Sequence, residues 1–197
     1  MRFAELDAVT LDAFGTLLTL RAPVEALARV TRRDEADVRR ALEAEIAHYR
    51  PRSHDGRDPD SLALLRADCA AVFNEALGSS LSPEEFVGAL EYEPLPGVTG
   101  ALAALRAQGL SLAVVANWDC ALPEHLDRIG LGRYMTTVVT SAEAGAPKPD
   151  PRPFLLALER LGVEPERALH VGDSPEDEEG AAAAGLRFAY APLTALL

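Results

Sequence analysis

The sequence has 197 residues and a formal net charge of −12, with 48% hydrophobic and 25% charged residues. This length suffices for one large domain or for a core with a small insertion, and the composition is that of an ordinary globular protein. The acidic balance argues against a nucleic-acid partner, because phosphate binding needs a basic surface. No apolar run approaches the roughly 20 residues that span a membrane, and the N-terminus lacks the apolar stretch of a signal peptide. We therefore expect a cytoplasmic protein with no membrane partner.

The positive residues of the chain are almost all arginines. Of the 19 lysine and arginine residues, Lys148 is the only lysine. An ammonium group is a compact point charge, whereas a guanidinium group is a wide planar fork. Lys148 therefore marks either a place where arginine would not serve or a chance retention, and the count alone favours neither.

The first half of the chain predicts one strand followed by helices. An apolar run over Ala8–Leu11 ends at Asp12 and predicts a strand. From about residue 22 to 90, hydrophobic residues recur at helical spacing, interrupted by a polar linker at 51–60. Ser82 is the predicted N-cap of the last of these helices. The segment carries no strand signal and predicts an all-helical insertion.

The second half alternates between strands and helices. Apolar strands are predicted within 110–117, 135–141, 167–174 and 186–191. Because these strands are apolar throughout, they favour a parallel sheet that is covered on both faces. The predicted fold class is α/β, with a Rossmann-like parallel-sheet core over 1–18 and 91–197 and a small all-helical cap domain over 19–90.

Polar side chains follow the predicted strands at their carboxyl ends, where parallel sheets bind ligands. They are Asp12, Asn117, Lys148 and Asp173. Taken alone, Asp12 is more simply a turn or helix cap. Together with Asp173 and Asp177, however, it forms a group of acids that repel one another, and a divalent cation with oxygen ligands is the natural compensation. Adding Lys148 gives a pocket suited to a phosphate or another anion.

These segments also carry a family resemblance. The stretches LDAFGTL, VVANWD, AGAPKPDPRPF and HVGDSPEDEEGAAAAG resemble, in order, the four motifs of the haloacid dehalogenase-like (HAD) hydrolases, and the helical insertion resembles the cap of one subclass. The resemblance implies Asp12 as a nucleophile that forms an aspartyl intermediate, and Lys148 as the residue that orients it and neutralises the transition state. It implies a small-molecule substrate and a Mg²⁺ cofactor held by Asp12, Asp173, Asp177 and the backbone carbonyl of Phe14.

Two positions depart from the family pattern. The phosphatases usually have a second Asp two residues after the nucleophile, which protonates the leaving alkoxide, and Phe14 stands there. The second motif normally ends in Ser or Thr, and Ala116 stands there, followed by Asn117. Losing an oxyanion donor costs on the order of 100- to 1000-fold in rate, and losing a general acid about 100- to 10,000-fold. We therefore expect weak activity, with Thr16 and Asn117 as substrate-binding residues.

Three functions follow as hypotheses. The first is a Mg²⁺-dependent phosphohydrolase of a small phosphate ester or acyl phosphate, favoured by the retained acids and Lys148. The second is a metal-independent 2-haloacid dehalogenase, because an aromatic residue at position 14 resembles the dehalogenase branch, whose halide needs no proton. The third is a degenerate binding protein without turnover.

Structural roles are expected for five further polar residues. Asp119 is expected to cap the helix that follows, and His170 to be a satisfied core histidine. The run His48, Tyr49 and Arg50 is expected to lie on a solvated surface.

Overall fold

The computed structural model describes residues 5–196. In this part of the chain the strands are β1 (Ala8–Leu11), β2 (Leu18–Leu20), β3 (Tyr92–Pro94), β4 (Ser111–Ala116), β5 (Thr137–Thr140), β6 (Ala168–Gly172) and β7 (Arg187–Tyr190). Five of them form one parallel sheet in the order β5-β4-β1-β6-β7. The predicted α/β class with a parallel sheet is therefore confirmed, and the predicted first strand matches β1 at both ends.

The sheet is buried on both faces, as its apolar strands predict. In β4, Leu112 and Val114 belong to one apolar cluster, whereas Ala113 and Val115 belong to the other. Helices α5 (Val98–Ala107) and α6 (Leu122–Arg128) pack on the first face, and α8 (Arg152–Leu161) and α9 (Pro175–Ala183) pack on the second. The short α7 (Ser141–Ala144) follows β5.

The insertion after β1 is helical, as predicted. It contains α1 (Pro23–Thr31), α2 (Glu35–Tyr49), α3 (Pro59–Leu77) and α4 (Pro83–Gly88), with a 3₁₀ turn at Arg50–Asp55. These helices bury an apolar cluster of their own, in which the Phe73 and Phe86 rings lie 4.9 Å apart. Ser82 caps α4 by accepting from the Glu85 amide, as expected. No helix in residues 5–196 is long and apolar enough to cross a membrane.

A two-stranded ribbon lies at the base of the insertion, at the two ends of the segment predicted to be all-helical over about 22–90, and the sequence analysis did not predict it. Strands β2 and β3 pair antiparallel, with Leu18 opposite Pro94 and Leu20 opposite Tyr92. Each strand has only three residues, which is too short to show an alternating pattern in the sequence. The predicted boundaries of the cap, 19–90, lie at this ribbon and stay a prediction.

Candidate active site

Three neighbouring strands bring the predicted polar residues together at one edge of the sheet. Asp12 follows β1, Asn117 follows β4 and Asp173 follows β6, and β1 lies between the other two strands. The Asp12 amide donates to the carbonyl of Val171 in β6, at 2.9 Å. Parallel strands end at a common edge, so these side chains meet although they are distant in the sequence.

Lys148 lies at the centre of this edge and is only 5% exposed. Its ammonium group donates to Asp12 Oδ1 at 2.6 Å, to Asp177 Oδ1 at 2.5 Å and to the Val115 carbonyl at 3.1 Å. These three acceptors match the three donors of an ammonium group. The Asn117 side chain fixes the lysine backbone, because its Oδ1 accepts from the Lys148 amide at 2.6 Å and its Nδ2 donates to the Lys148 carbonyl at 3.1 Å.

Asp177 owes its place to the start of α9. Ser174 is the N-cap of that helix, and Asp177 is the third helical residue, which closes a capping box with it. Asp177 Oδ2 accepts from the Ser174 hydroxyl at 2.7 Å, while Oδ1 contacts Lys148 and, at 3.1 Å, His170 Nε2. His170 Nδ1 in turn lies 2.9 Å from the Thr10 hydroxyl. His170 is thus a satisfied buried histidine, as expected, and its partner is a residue of the site.

In this cluster, charged neighbours and burial shift the pKa values of the side chains in opposite directions. Burial raises the pKa of Asp12, and the positive charge of Lys148 acts in the opposite direction. For Asp177, the hydrogen bonds from His170 and Lys148 and the positive charge of Lys148 outweigh burial and hold its pKa well below the usual range. Both carboxylates raise the pKa of Lys148 although burial opposes them. Burial lowers the pKa of His170, which favours the neutral imidazole.

The donor set of this edge fits a hard divalent cation. Asp12, Asp173 and Asp177 each offer a carboxylate oxygen, and these oxygens lie within 4.8 Å of one another. Gly15 has a φ of +84°, and a Cβ there would overlap Asp173 Oδ2, so glycine allows this carboxylate to pack over the loop. Carboxylates and backbone carbonyls are the ligands that Mg²⁺ prefers. The residues that would hold the ion are therefore close together.

Two of the predicted site residues, Phe14 and Thr16, lie outside the hydrogen-bonded cluster around Lys148. Phe14 lines the cavity above Asp12, is 41% exposed, and its ring centroid lies 6.5 Å from that of Trp118. Thr16 is buried, its hydroxyl has no hydrogen-bond partner in the described part of the chain, and it is not a lining residue of the cavity. The substrate-binding roles of Thr16 and Asn117 stay predictions, and Asn117 has the additional contact with Lys148 described above.

A cavity of about 670 Å³ extends from this edge to the helical insertion. The Tyr49 hydroxyl, at the end of α2, crosses to the core and donates to Asp119 Oδ2 at 2.8 Å. Asp119 Oδ1 accepts from the Ala121 amide at 2.9 Å in the turn before α6, but Ala121 is the N-cap and no side chain caps this helix, so the expectation that Asp119 caps it is wrong. The expectation of a solvated surface is wrong for Tyr49, since it lines the cavity together with Arg50.

Glu45, a buried carboxyl group in the same cavity, is not among the residues predicted from the sequence. Leu42, Glu45, Ile46 and Tyr49 all line the cavity and share one face of α2 at the spacing i, i+3, i+4 and i+7. In the sequence, a hydrophobic stripe that includes one acid is typical of an ordinary amphipathic helix. The feature that could have identified Glu45 is the position of an acid on the apolar face of α2.

Comparisons with known proteins show which family of proteins the chain resembles. The family model "haloacid dehalogenase-like hydrolase" matches residues 6–185. Haloacid dehalogenase-like hydrolase domain-containing protein 3 of Mus musculus is 43% identical over 104 residues, covering 52% of this chain and 41% of that protein. Phosphoglycolate phosphatase 1 of Pseudomonas aeruginosa is 34% identical over 157 residues, covering 77% of this chain and 50% of that protein. The chain thus matches about half the length of these curated relatives.

Solved structures extend the likeness over nearly the whole chain. The L-2-haloacid dehalogenase of Xanthobacter autotrophicus superposes with a TM-score of 0.71 at 25% identity, covering 94% of this chain and 77% of that one. The superposition includes both the parallel sheet and the helical insertion between β1 and β4.

Proposed function

As this chain belongs to the haloacid dehalogenase-like hydrolase family, we propose that it is a magnesium-dependent phosphohydrolase of a small phosphate ester or acyl phosphate. The observation that carries the proposal is the meeting of Asp12 with Lys148, Asp173 and Asp177 at one edge of the sheet. The similarity to phosphoglycolate phosphatase 1 of Pseudomonas aeruginosa supports the same chemistry.

Asp12 is the nucleophile of the proposed reaction. Lys148 holds one of its oxygens at 2.6 Å, which leaves the other free to attack phosphorus. The bond from phosphorus to the leaving oxygen breaks, and the leaving group departs with the bonding electrons. Water then hydrolyses the aspartyl phosphate, which releases inorganic phosphate and restores the carboxylate. Lys148 reduces the repulsion between the Asp12 carboxylate and the phosphate dianion in both steps.

The acids of the site make the proposed cofactor necessary. Three carboxylates and one ammonium group leave a negative balance at the place where a phosphate dianion must bind. A bound Mg²⁺ supplies the charge neutralisation that such a transfer needs. Asp173 is exposed and accessible from the cavity, whereas both oxygens of Asp177 already accept hydrogen bonds from the protein. Asp12, Asp173, Asp177 and the Phe14 carbonyl would hold the ion, and Asp177 would at the same time bind Lys148.

The test is a metal-dependent assay with phenyl phosphate and acetyl phosphate. We expect turnover that is lost in excess chelator and restored by Mg²⁺, and that disappears in Asp12→Asn but not in the exposed control Asp60→Asn. Thermal unfolding gives a second measurement, because Mg²⁺ should raise the Tm of the wild type but not that of Asp173→Asn. Chelator-resistant turnover, or an active Asp12→Asn, would contradict the proposal.

Phe14 supports a second candidate, the metal-independent 2-haloacid dehalogenase. A halide leaving group needs no proton, so an aromatic residue at this position removes nothing that the reaction requires. The superposition on the L-2-haloacid dehalogenase of Xanthobacter autotrophicus agrees with this reading. Chloride release from 2-chloropropionate in excess chelator would support the dehalogenase, and no release would eliminate it. A protein inactive in both assays would favour the degenerate binding protein.

A further inference from the structure

The cap end of the cavity contains a carboxyl group that the proposed reaction does not use. Glu45 lies on α2, is 7% exposed and lines the same cavity as Asp12 and Lys148. Most of the residues around this end of the cavity are apolar or aromatic. They include Leu42, Ile46, Leu65, Phe86, Val87 and Leu90. A carboxyl group on such a wall is not explained by packing, because a leucine or methionine would bury more apolar surface.

Glu45 has no positive partner in the part of the chain that the structure describes. No ion pair joins it to an arginine, lysine or histidine, and the group that acts on it is the Cys69 thiol of α3. Burial raises the pKa of Glu45 to about 7, so the carboxyl group is close to half ionised at neutral pH. A cation that entered the cavity would therefore find an uncompensated counter-ion.

The surroundings of Glu45 make this end of the cavity attractive to a cation. Asp119 is also buried and lines the cavity. Burial, together with the charges of both carboxylates, raises the pKa of the Cys69 thiol and of the Tyr92 hydroxyl, although Arg66 acts against this at Tyr92. The Tyr92 and Trp118 rings lie 5.4 Å apart, and the faces of such rings attract cations.

We propose that the cap end of the cavity is a binding subsite for an ammonium group of the substrate, with Glu45 as its counter-ion. The inference rests on the proposed phosphohydrolase function, since Asp12 and Lys148 then hold the phosphate at the other end. A volume of about 670 Å³ accommodates a molecule that carries both groups. The apolar lining between the two ends fits an aryl or similar apolar body. The substrate class is accordingly an amine-bearing phosphate with an apolar middle.

The experiment compares aryl phosphates that differ only at the far end. Tyramine O-phosphate and para-(aminomethyl)phenyl phosphate carry the ammonium group on arms of two lengths, and para-propylphenyl and para-ethylphenyl phosphate are their uncharged counterparts. We expect kcat/KM to favour one of the amines by about 10- to 100-fold, the range for a buried hydrogen bond between charged groups. Glu45→Gln should abolish this preference, whereas Glu43→Gln, on the exposed side of α2, should keep it.

Equal kcat/KM for the amines and their counterparts, or an amine preference that survives in Glu45→Gln, would overturn the subsite. A preference for a carboxylate-ended phosphate of the same length would do so as well, because Arg66 also lines the cavity and would be its partner.

A binding measurement separates this inference from the proposed function. Calorimetry with tyramine and para-propylphenol requires no turnover, and we expect the wild type to bind tyramine at least about 10-fold more tightly than the phenol. If no aryl phosphate is hydrolysed but this difference is present, the phosphohydrolase is wrong and the ammonium subsite stands. If phosphates are hydrolysed but tyramine and the phenol bind equally, the subsite is wrong and the phosphohydrolase stands.

Discussion

The Lys148 ammonium nitrogen lies 2.6 Å from a carboxylate oxygen of Asp12, a residue 136 positions earlier in the chain. The same nitrogen lies 2.5 Å from Asp177 and 3.1 Å from the Val115 carbonyl, so each of its three donors has an acceptor. The group is buried, and a planar guanidinium would have to displace at least one of these partners. This contact gives a physical reason for the single lysine in a chain that otherwise uses arginine.

We expect Lys148→Arg and Lys148→Met both to lose Mg²⁺-dependent hydrolysis of phenyl phosphate. Methionine leaves Asp12 and Asp177 buried without a cation, which costs about 3–5 kcal/mol of unfolding free energy. Lys148→Arg keeps the positive charge. We therefore expect a small decrease in its unfolding free energy beside a large decrease in its turnover number. Turnover numbers and urea unfolding measure the two effects. The control is the exposed exchange Arg152→Lys, which should change neither, and wild-type turnover in Lys148→Arg would contradict the role of the compact charge.

The second prediction concerns the missing general acid at position 14. Nothing at this position protonates a departing alkoxide, so aryl and acyl phosphates should turn over while simple alkyl phosphates are nearly inert. Phe14→Asp should raise kcat on an alkyl phosphate such as glycerol phosphate by about 100- to 10,000-fold, with little change on phenyl phosphate. Because Phe14 is 41% exposed, the substitution should cost little stability.

Phe14→Leu separates this effect from a simple change of cavity shape, since it removes the ring without adding an acid. It should leave the alkyl phosphates inert. Equal wild-type rates on aryl and alkyl phosphates would show that another acid serves, and Asp119, which lines the cavity, would be examined first.

The sequence predicts the elements whose causes are local. Strand β1 ends before Asp12 as its apolar run indicates, and α4 begins after its predicted N-cap Ser82. The alternation of apolar strands and helices predicts the parallel sheet, and the sheet rule then predicts that Asp12, Lys148 and Asp173 meet.

The features that the sequence does not predict depend on contacts between distant segments. The pairing of β2 with β3 joins three-residue strands that are too short to have a pattern. The environment of Glu45 depends on how α2 packs against α3 and on which face of α2 the cavity meets. The bond from Tyr49 to Asp119 spans 70 residues and exists only because the insertion folds over the end of β4. Local propensity carries no information about such contacts.

The third prediction tests the bond between Tyr49 and Asp119. Burial and the charge of Asp119 raise the pKa of Tyr49 well above its usual value, so its hydroxyl stays a donor throughout the working pH range. Tyr49→Phe leaves Asp119 Oδ2 without this donor in a buried place, which should lower the unfolding free energy by about 1–3 kcal/mol. The insertion also loses a contact with the core, so KM should rise more than kcat falls.

Tyr190→Phe is the matched control for this change. The Tyr190 hydroxyl donates to Glu178 at 2.6 Å, but the tyrosine is exposed, so removing the bond should change the unfolding free energy by no more than about 0.5 kcal/mol. Equal losses in Tyr49→Phe and Tyr190→Phe would mean that the bond between the insertion and the core contributes nothing beyond an ordinary surface contact.

The last prediction uses the titration of Glu45. Burial raises the pKa of Glu45 to about 7, while the unfolded chain keeps a value near 4.5. Between these values the folded protein binds the proton more tightly than the unfolded chain does, so protonation stabilises the fold. The contribution of Glu45 to stability is therefore fully present below about pH 4.5, falls as the pH rises towards 7, and is constant above that.

Urea unfolding of the wild type and of Glu45→Gln from pH 5 to 8, without ligand, isolates this effect, because glutamine does not titrate. The wild type should lose about 2–3 kcal/mol relative to Glu45→Gln over this range. Glu43→Gln, on the exposed side of the same helix, should show no such pH dependence relative to the wild type. A constant difference between the wild type and Glu45→Gln would mean that Glu45 is solvated or paired in solution. In that case the buried counter-ion, and with it the reason for an ammonium group in the cavity, would be lost.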